Sequence, residues 1–185
     1  AIKLNPENIG AHFNLGQSIF LMGNDYREAW LKYEYRFKKP KDPVIPHAKP
    51  SIQKWQGEIL NSKEQLLVVS EQGLGDTLQF MRYIPYLRKR GINVSFCAQT
   101  KLHDLIKSSN IISKPLTPEK GNEVKEGKWI SLLSLPHFLN ITPNNTLITN
   151  PYIHSSKEQI NKWKTILSNE DKPIIGINWQ GNPST

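Results

Sequence analysis

The chain has one cysteine, Cys97. It sits in the apolar run Val94-Ser95-Phe96-Cys97-Ala98, has no partner for an internal disulfide, and reads as a buried structural thiol. No apolar run approaches the ~20 residues a membrane-spanning helix requires, and no basic start followed by an apolar stretch marks a signal peptide. The histidines (His12, His47, His103, His137 and His154) are far apart and lack cysteine partners, so metal-site spacing is absent. There is no G-x-S-x-G serine elbow and no glycine-lysine phosphate loop. Gly73 and Gly75 match two positions of the dinucleotide fingerprint G-x-G-x-x-G, but Leu78 occupies the third. Oxidoreductases and P-loop enzymes are therefore disfavoured.

What is present describes a globular chain. Of 185 residues, 37% are hydrophobic and 22% charged, enough for one domain of ordinary size plus a small addition. The net charge of +8 suits solubility, an anionic ligand or an anionic membrane surface. Its clusters, Arg36 to Lys41 and Arg88 to Arg90, are not interleaved with aromatic residues as a base-stacking platform would be, so nucleic acid is not expected as a partner.

The most informative stretch runs from Leu66 to Arg90. Leu66 to Val69 reads as a strand buried on both faces. Gln72-Gly73-Leu74-Gly75-Asp76 breaks it, and from Thr77 the residues Leu78, Met81, Ile84 and Leu87 recur at helical spacing up to Gly91. Strand, glycine turn and helix form the first half of a βαβ unit. In such sheets ligands bind beyond the carboxyl ends of the strands, which is where Glu71 to Asp76 fall. The glycines permit a sharp turn and close ligand approach, and the helix start offers unpaired N–H groups. Asp76 has two readings here: a helix N-cap, or a carboxylate held at a cleft mouth as a general base.

Along the chain, Asn8 to Gly23 and Tyr26 to Phe37 read as a helical hairpin, crossing closely at Gly16 and Ala29. His12 reads as a packing residue. Residues 40–64, with Pro40, Pro43, Pro46 and Pro50, read as an extended connector in which Trp55 is an anchor. Further strands are expected at Asn93 to Ala98, Ile111-Ile112, Trp129 to Leu133 and Ile174 to Trp179. Helices are expected at Lys101 to Ser108 and Ser156 to Ser168, the latter opened by a capping box. Thr117 to Lys128 and Ile141 to Pro151 read as loops. Alternating strands and helices imply an α/β parallel sheet.

Two resemblances follow from these residues. LNPENIGAHFNLGQSIFLMGNDYREAWLKYEYRF resembles one tetratricopeptide repeat preceded by the tail of another, through Leu15-Gly16, Gly23, Ala29 and the Asn-Pro end. It departs in a turn one residue longer after Gly23 and in His12 at a usual aromatic position. Such repeats pack on neighbours, which implies further repeats upstream. SEQGLGDTLQFMRYIPYLRKRG, with Trp55-Gln56-Gly57, Ser134-Leu135-Pro136 and Ile175 to Pro183, resembles glycosyltransferases of the heptosyltransferase type, family nine, in the branch where tetratricopeptide repeats precede that domain.

The resemblance implies a GT-B fold with two Rossmann-like domains facing across a cleft. Its domains here would be a repeat hairpin (1–39), the connector (40–64), the acceptor-side Rossmann-like domain (65–172) and the first strand of a nucleotide-sugar-binding domain (173–185). It implies Asp76 as general base in an inverting, metal-independent transfer from a nucleotide sugar to a glycan or protein acceptor of the cell envelope, in the cytoplasm or peripheral to the inner membrane. Beside Asp76, the candidate substrate-binding residues are Gln72, Gly73, Leu74, Gly75, Gln79, Arg82, Asn178, Gln180 and Asn182. Gln72 and Gln79 read first as solvent-facing polar residues and second as partners of sugar hydroxyls, Arg82 also as a partner of a surface carboxylate, and the last three equally as turn formers. No cofactor is implied beyond the nucleotide sugar itself. The competing class is a non-catalytic module whose repeats hold a protein or glycan partner.

Overall fold

Leu66, Leu67, Val68 and Val69 are fully buried. In the computed structural model, which describes residues 1–61, 64–147 and 150–177, they belong to β2 (Gln65–Val69), as their apolar, β-branched character predicts. β2 pairs in parallel with β3 (Asn93–Cys97) on one side and β4 (Lys128–Ser131) on the other. A short β1 (Gln53–Lys54) adds in parallel to the free edge of β4, giving the order β1-β4-β2-β3. The expected α/β class with a parallel sheet is therefore observed. Successive side chains of β2 serve opposite faces. Leu66 and Val68 join the larger core with Ile84, Leu87, Phe96, Ile106 and Ile130, while Leu67 and Val69 pack with Ala48 and Cys97.

The chain divides into two compact units, Ala1–His154 and one beginning at Ser155. The first contains the helical hairpin as well as the sheet. α1 (Ile9–Met22) starts at Asn8, whose side chain accepts from the Ala11 N–H, and stops at Gly23 in the left-handed conformation. α2 (Tyr26–Tyr33) is capped by Asp25. A Cβ at Gly16 would lie 2.9 Å from Lys32 Cβ and 3.1 Å from the Ala29 carbonyl oxygen, so the close crossing expected at Gly16 and Ala29 is present. His12 packs: it is buried, stacks on Tyr35 at 4.5 Å, and lies 2.7 Å from the Pro6 carbonyl oxygen through Nε2.

Several elements differ from the sequence expectation, each for an identifiable reason. The second hairpin helix ends at Tyr33 rather than Phe37. Glu34–Lys38 winds on as a 3₁₀ turn that carries Arg36 into the interior, where its ion pairs form. The helix expected from Thr77 to Arg90 begins three residues earlier and is broken into α3 (Leu74–Phe80) and α4 (Tyr83–Lys89). Pro85 has no N–H for the Met81 carbonyl, and its ring would strike that carbonyl in a continuous helix. After α5 (His103–Ser108), Ile111 and Ile112 are not a strand. These two neighbours enter the same core cluster, which strand alternation forbids, and Leu116 makes the single bridge to Cys97 instead.

The expected loop from Thr117 contains α6 (Pro118–Asn122), begun by the Thr117 cap and a proline in the first turn. β4 stops at Ser131, because Leu132–Ser134 turns as 3₁₀ and the Leu133 N–H goes to the Glu71 carboxylate rather than to a neighbouring strand; α7 (Leu135–Phe138) follows. The connector is extended as expected but also supplies β1, which its prolines obscured. Trp55 anchors it: the indole is buried, donates to the Glu58 carbonyl at 2.8 Å and packs on Phe138 at 5.5 Å.

In the second unit, α8 (Lys157–Ile166) begins at Ser156, whose hydroxyl accepts from the Gln159 N–H at 3.2 Å. Ile174 to Ile177 do not form the expected strand. They have no strand partner among the described residues, and a strand is defined by pairing. Trp179 lies outside the described residues. Among those described, no helix is long and apolar enough to cross a membrane.

Candidate functional site

The carboxyl ends of β2, β3 and β4 converge on Ser70 to Asp76. The turn out of β2 is tighter than its glycines suggested. Neither Gly73 nor Gly75 takes a positive φ; the left-handed residue is Gln72, at φ 59°, where a side chain is unfavourable. Gly73 is extended and immediately precedes α3, and Gly75 lies within that helix. Over Gly75 a Cβ would meet nothing within 4 Å, so the glycine leaves open space above the helix start. Gln72, Gly73, Leu74 and Gly75 are exposed and Asp76 is half-buried, so the turn is a solvent-facing rim on a buried base.

Because α3 starts at Leu74, Asp76 is its third residue and not its N-cap. The carboxylate reaches back: Oδ2 accepts from the Gly73 N–H at 2.9 Å. A Cβ at Gly73 would stand 3.1 Å from Asp76 Oδ2, so a larger residue there would require the carboxylate to give by a few tenths of an ångström. Among the described residues no protein donor lies within hydrogen-bond distance of Oδ1. α3 is only seven residues long, so the partial positive charge at its start is smaller than that of the unbroken helix the periodicity suggested.

Beneath the rim lies a buried ionic network. Glu71, fully buried, takes the Arg36 guanidinium in a two-point pair: Nη2 to Oε1 at 2.7 Å and Nε to Oε2 at 3.1 Å. The Ser131 hydroxyl and the Leu133 N–H also donate to Oε1. The remaining Arg36 donors go to Glu34 at 2.6 Å, the Tyr33 carbonyl at 3.3 Å and the Ser134 hydroxyl at 2.9 Å. The guanidinium also lies over the rings of Phe37 and Tyr33, at 4.0 and 4.6 Å. Burial works to raise the Glu34 carboxyl, but the charge and hydrogen bond of Arg36, with Ser134 and Lys54, outweigh it and hold the group below its usual range.

Two further residues grip the turn. Gln99, just past β3, donates through Nε2 to the Gln72 and Gly73 carbonyls at 3.3 Å each, and accepts from the Thr77 hydroxyl at 2.9 Å. From α2, the Tyr33 hydroxyl accepts from Gln72 Nε2 at 2.9 Å. Burial raises the Tyr33 hydroxyl above its ordinary value. The Gln72 bond and Arg36 pull the other way, and the Glu71 and Asp76 carboxylates push it up again. It therefore stays protonated at neutral pH.

The structure thus gathers Gln72, Gly73, Leu74, Gly75 and Asp76 on one rim. Gln79 is exposed one turn further along α3. Arg82 sits in the break after α3, six residues on from Asp76. Its guanidinium lies 4.9 Å over Tyr152, and its buried Nε has no partner among the described residues. Asn178, Gln180 and Asn182 lie outside the described residues. No group of three or more metal-ligating side chains is gathered among the described residues.

Sequence reasoning assigned no site role to Tyr33, Arg36 or Gln99, placed Glu71 only at the edge of the ligand-facing stretch, and used Ser134 only within a motif. Arg36 was grouped with the basic run that follows it. The signal was the aromatic residues on either side of it, Tyr33, Tyr35 and Phe37, whose rings suit a guanidinium withdrawn from water. Glu71 gave a fainter one, a carboxylate following a wholly apolar strand with only Ser70 between. Compared with protein-family models, with curated proteins and with solved structures, the chain finds no match in any of the three.

Proposed function

We propose that this chain is the acceptor side of an inverting, metal-independent glycosyltransferase of the heptosyltransferase-like family nine, its sheet the Rossmann-like N-terminal half of a GT-B fold and its hairpin a tetratricopeptide repeat. The observation that carries the reading is Asp76: a half-buried carboxylate with Oδ2 held by the Gly73 N–H and Oδ1 without a protein donor among the described residues, on an exposed glycine rim at the carboxyl end of the central strand. A general base needs this arrangement, a fixed group with one lone pair directed at the incoming ligand.

In the proposed step Oδ1 takes the proton of an acceptor hydroxyl. That oxygen bonds to the anomeric carbon from the face opposite the leaving group, and the bond to the nucleoside diphosphate breaks, its electron pair leaving with the phosphate oxygen. Gly75 leaves room for the acceptor beside the backbone. Gln72 and Gln79 supply polar side chains for neighbouring sugar hydroxyls, and Arg82 serves an anionic part of the acceptor at the far end of α3. The donor is held by the facing domain, to which Asn178, Gln180 and Asn182 lead. The acceptor is a glycan or protein of the cell envelope, reached from the cytoplasm or the inner membrane surface, and the hairpin offers a protein partner its docking face.

The test is release of nucleoside diphosphate from a panel of nucleotide sugars, with cell-envelope extract as acceptor, by the complete gene product and by its Asp76→Asn variant. Asparagine retains an oxygen for the Gly73 N–H but cannot take a proton. A fall in turnover of about 10²–10⁴-fold supports the base. Turnover that survives reduces Asp76 to a helix-capping residue. A folded protein that binds the extract but never turns over is a non-catalytic binding module instead.

A further inference from the structure

The hairpin and the sheet domain read from the sequence as two modules, yet the structure fastens the hairpin to the site at two consecutive residues. Arg36 holds Glu71, and three residues earlier in the hairpin Tyr33 holds Gln72. Gln72 is the residue with the unfavourable positive φ, and its conformation directs the chain from β2 into α3. Gln99 secures the backbone carbonyls of Gln72 and Gly73 from the β3 side, and among the described residues only Tyr33 bonds the Gln72 side chain.

We propose that Tyr33 is a positioning residue: its hydroxyl, accepting from Gln72 Nε2, holds Gln72 in the left-handed conformation and so sets where the Gly73 N–H and the Asp76 carboxylate stand. The hairpin is then part of the site rather than an appendage to it. For the chemistry of Asp76 the inference rests on the glycosyltransferase reading; for the geometry of the turn it does not. The Tyr33 ring has a separate task, packing with Phe13, Phe20 and Trp30 at centroid distances of 5.7, 6.2 and 6.2 Å. Tyr33→Phe keeps that packing and removes the hydroxyl alone.

The Gly73 amide reports on the turn, because its N–H is bound to Asp76 Oδ2. Its hydrogen exchange is measured by NMR in the wild type, Tyr33→Phe, Gln72→Gly and the double variant, with Leu67 and Val68 as reference amides in the core strand. Glycine adopts a positive φ freely, so Gln72→Gly keeps the turn without needing Tyr33. The expected result is about fivefold faster exchange at Gly73 in Tyr33→Phe, the scale of one lost hydrogen bond, with Leu67 and Val68 unchanged and no further effect in the Gln72→Gly background. Unchanged exchange at Gly73, equal acceleration at Leu67 and Val68, or an effect that persists without Gln72 overturns the proposal.

The same variants in the complete gene product carry the chemical arm. There Tyr33→Phe is expected to lower kcat with the KM for the nucleotide sugar unchanged. Wild-type turnover in Tyr33→Phe, despite faster exchange at Gly73, overturns the link to Asp76. An inactive wild type refutes the transferase reading and leaves exchange to decide the positioning role.

Discussion

Arg36 and Glu71, 35 residues apart, meet in a two-point ion pair with both side chains wholly removed from solvent. The pair joins the end of the helical hairpin to the residue that leads out of the central strand. Its satisfaction is complete on the arginine side, where Glu34, the Tyr33 carbonyl and Ser134 take the remaining N–H groups.

Breaking that pair on one side leaves a buried charge without its partner. Arg36→Met is expected to destabilise the chain by about 3–5 kcal/mol, measured by urea denaturation. Adding Glu71→Leu to Arg36→Met removes the stranded carboxylate and is expected to recover most of the loss. A double variant no more stable than the single one contradicts this account.

Glu34 gives the fold an acid sensitivity. Its folded carboxyl titrates below the unfolded value, so the stability it contributes is present above the unfolded range near pH 4.5. That contribution is lost as the pH falls from there through the folded value, because the unfolded chain takes up the proton first. Thermal midpoints recorded from pH 6 down to pH 3 are expected to fall more steeply for the wild type than for Glu34→Gln, which has no proton to bind.

Gly75→Ala separates a structural glycine from a functional one. No strain at φ and no neighbour within 4 Å opposes the methyl group, and helix α3 gains up to about 0.5–1 kcal/mol from it. Stability should hold or rise while turnover of the complete gene product falls about 10–100-fold, as a displaced acceptor requires. Gly73→Ala is expected to lower turnover differently, because the added methyl would stand 3.1 Å from Asp76 Oδ2 and press the carboxylate aside.

Cys97 is expected to be inert. It is fully buried, its thiol faces the Thr117 carbonyl at 3.4 Å, and burial, aided by the charge of Glu119, pushes it up to about 12. At pH 8 only about one thiol in ten thousand is then ionised, and the thiolate is the reactive form. A thiol reagent should modify the native chain only at its unfolding rate, and label it fully in denaturant. In the other direction of pH, the stability gained from a neutral Cys97 is complete below the unfolded value near 9 and is lost as the pH rises towards 12.

The elements legible in the sequence are those whose signals lie within a few residues of one another. Asn8 and Gly23 mark the ends of α1, Ser156 starts α8, and the unbroken apolar run Leu66 to Val69 identifies a strand covered on both faces. Pro85 was equally local, and its effect on the Met81 carbonyl is what the helical periodicity of Met81, Ile84 and Leu87 concealed. Ile111 and Ile112 show the opposite limit: two branched apolar residues look like a strand until packing sends both into one cluster.

For the candidate site, the sequence by itself determined the rim: an apolar strand, a glycine turn and a carboxylate at the helix start, all within Leu66 to Asp76. Only the tertiary structure decided what holds that rim in place. Arg36 meets Ser134 across 98 residues, and Tyr33 meets Gln72 across 39. Such pairs have no local signature, because desolvation selects them only after the elements have packed: a buried donor or carboxylate must find whatever partner the fold brings within reach. The left-handed Gln72 has the same origin. A side chain tolerates that conformation where surrounding contacts over-determine it, and those contacts come from the far ends of the chain's other elements.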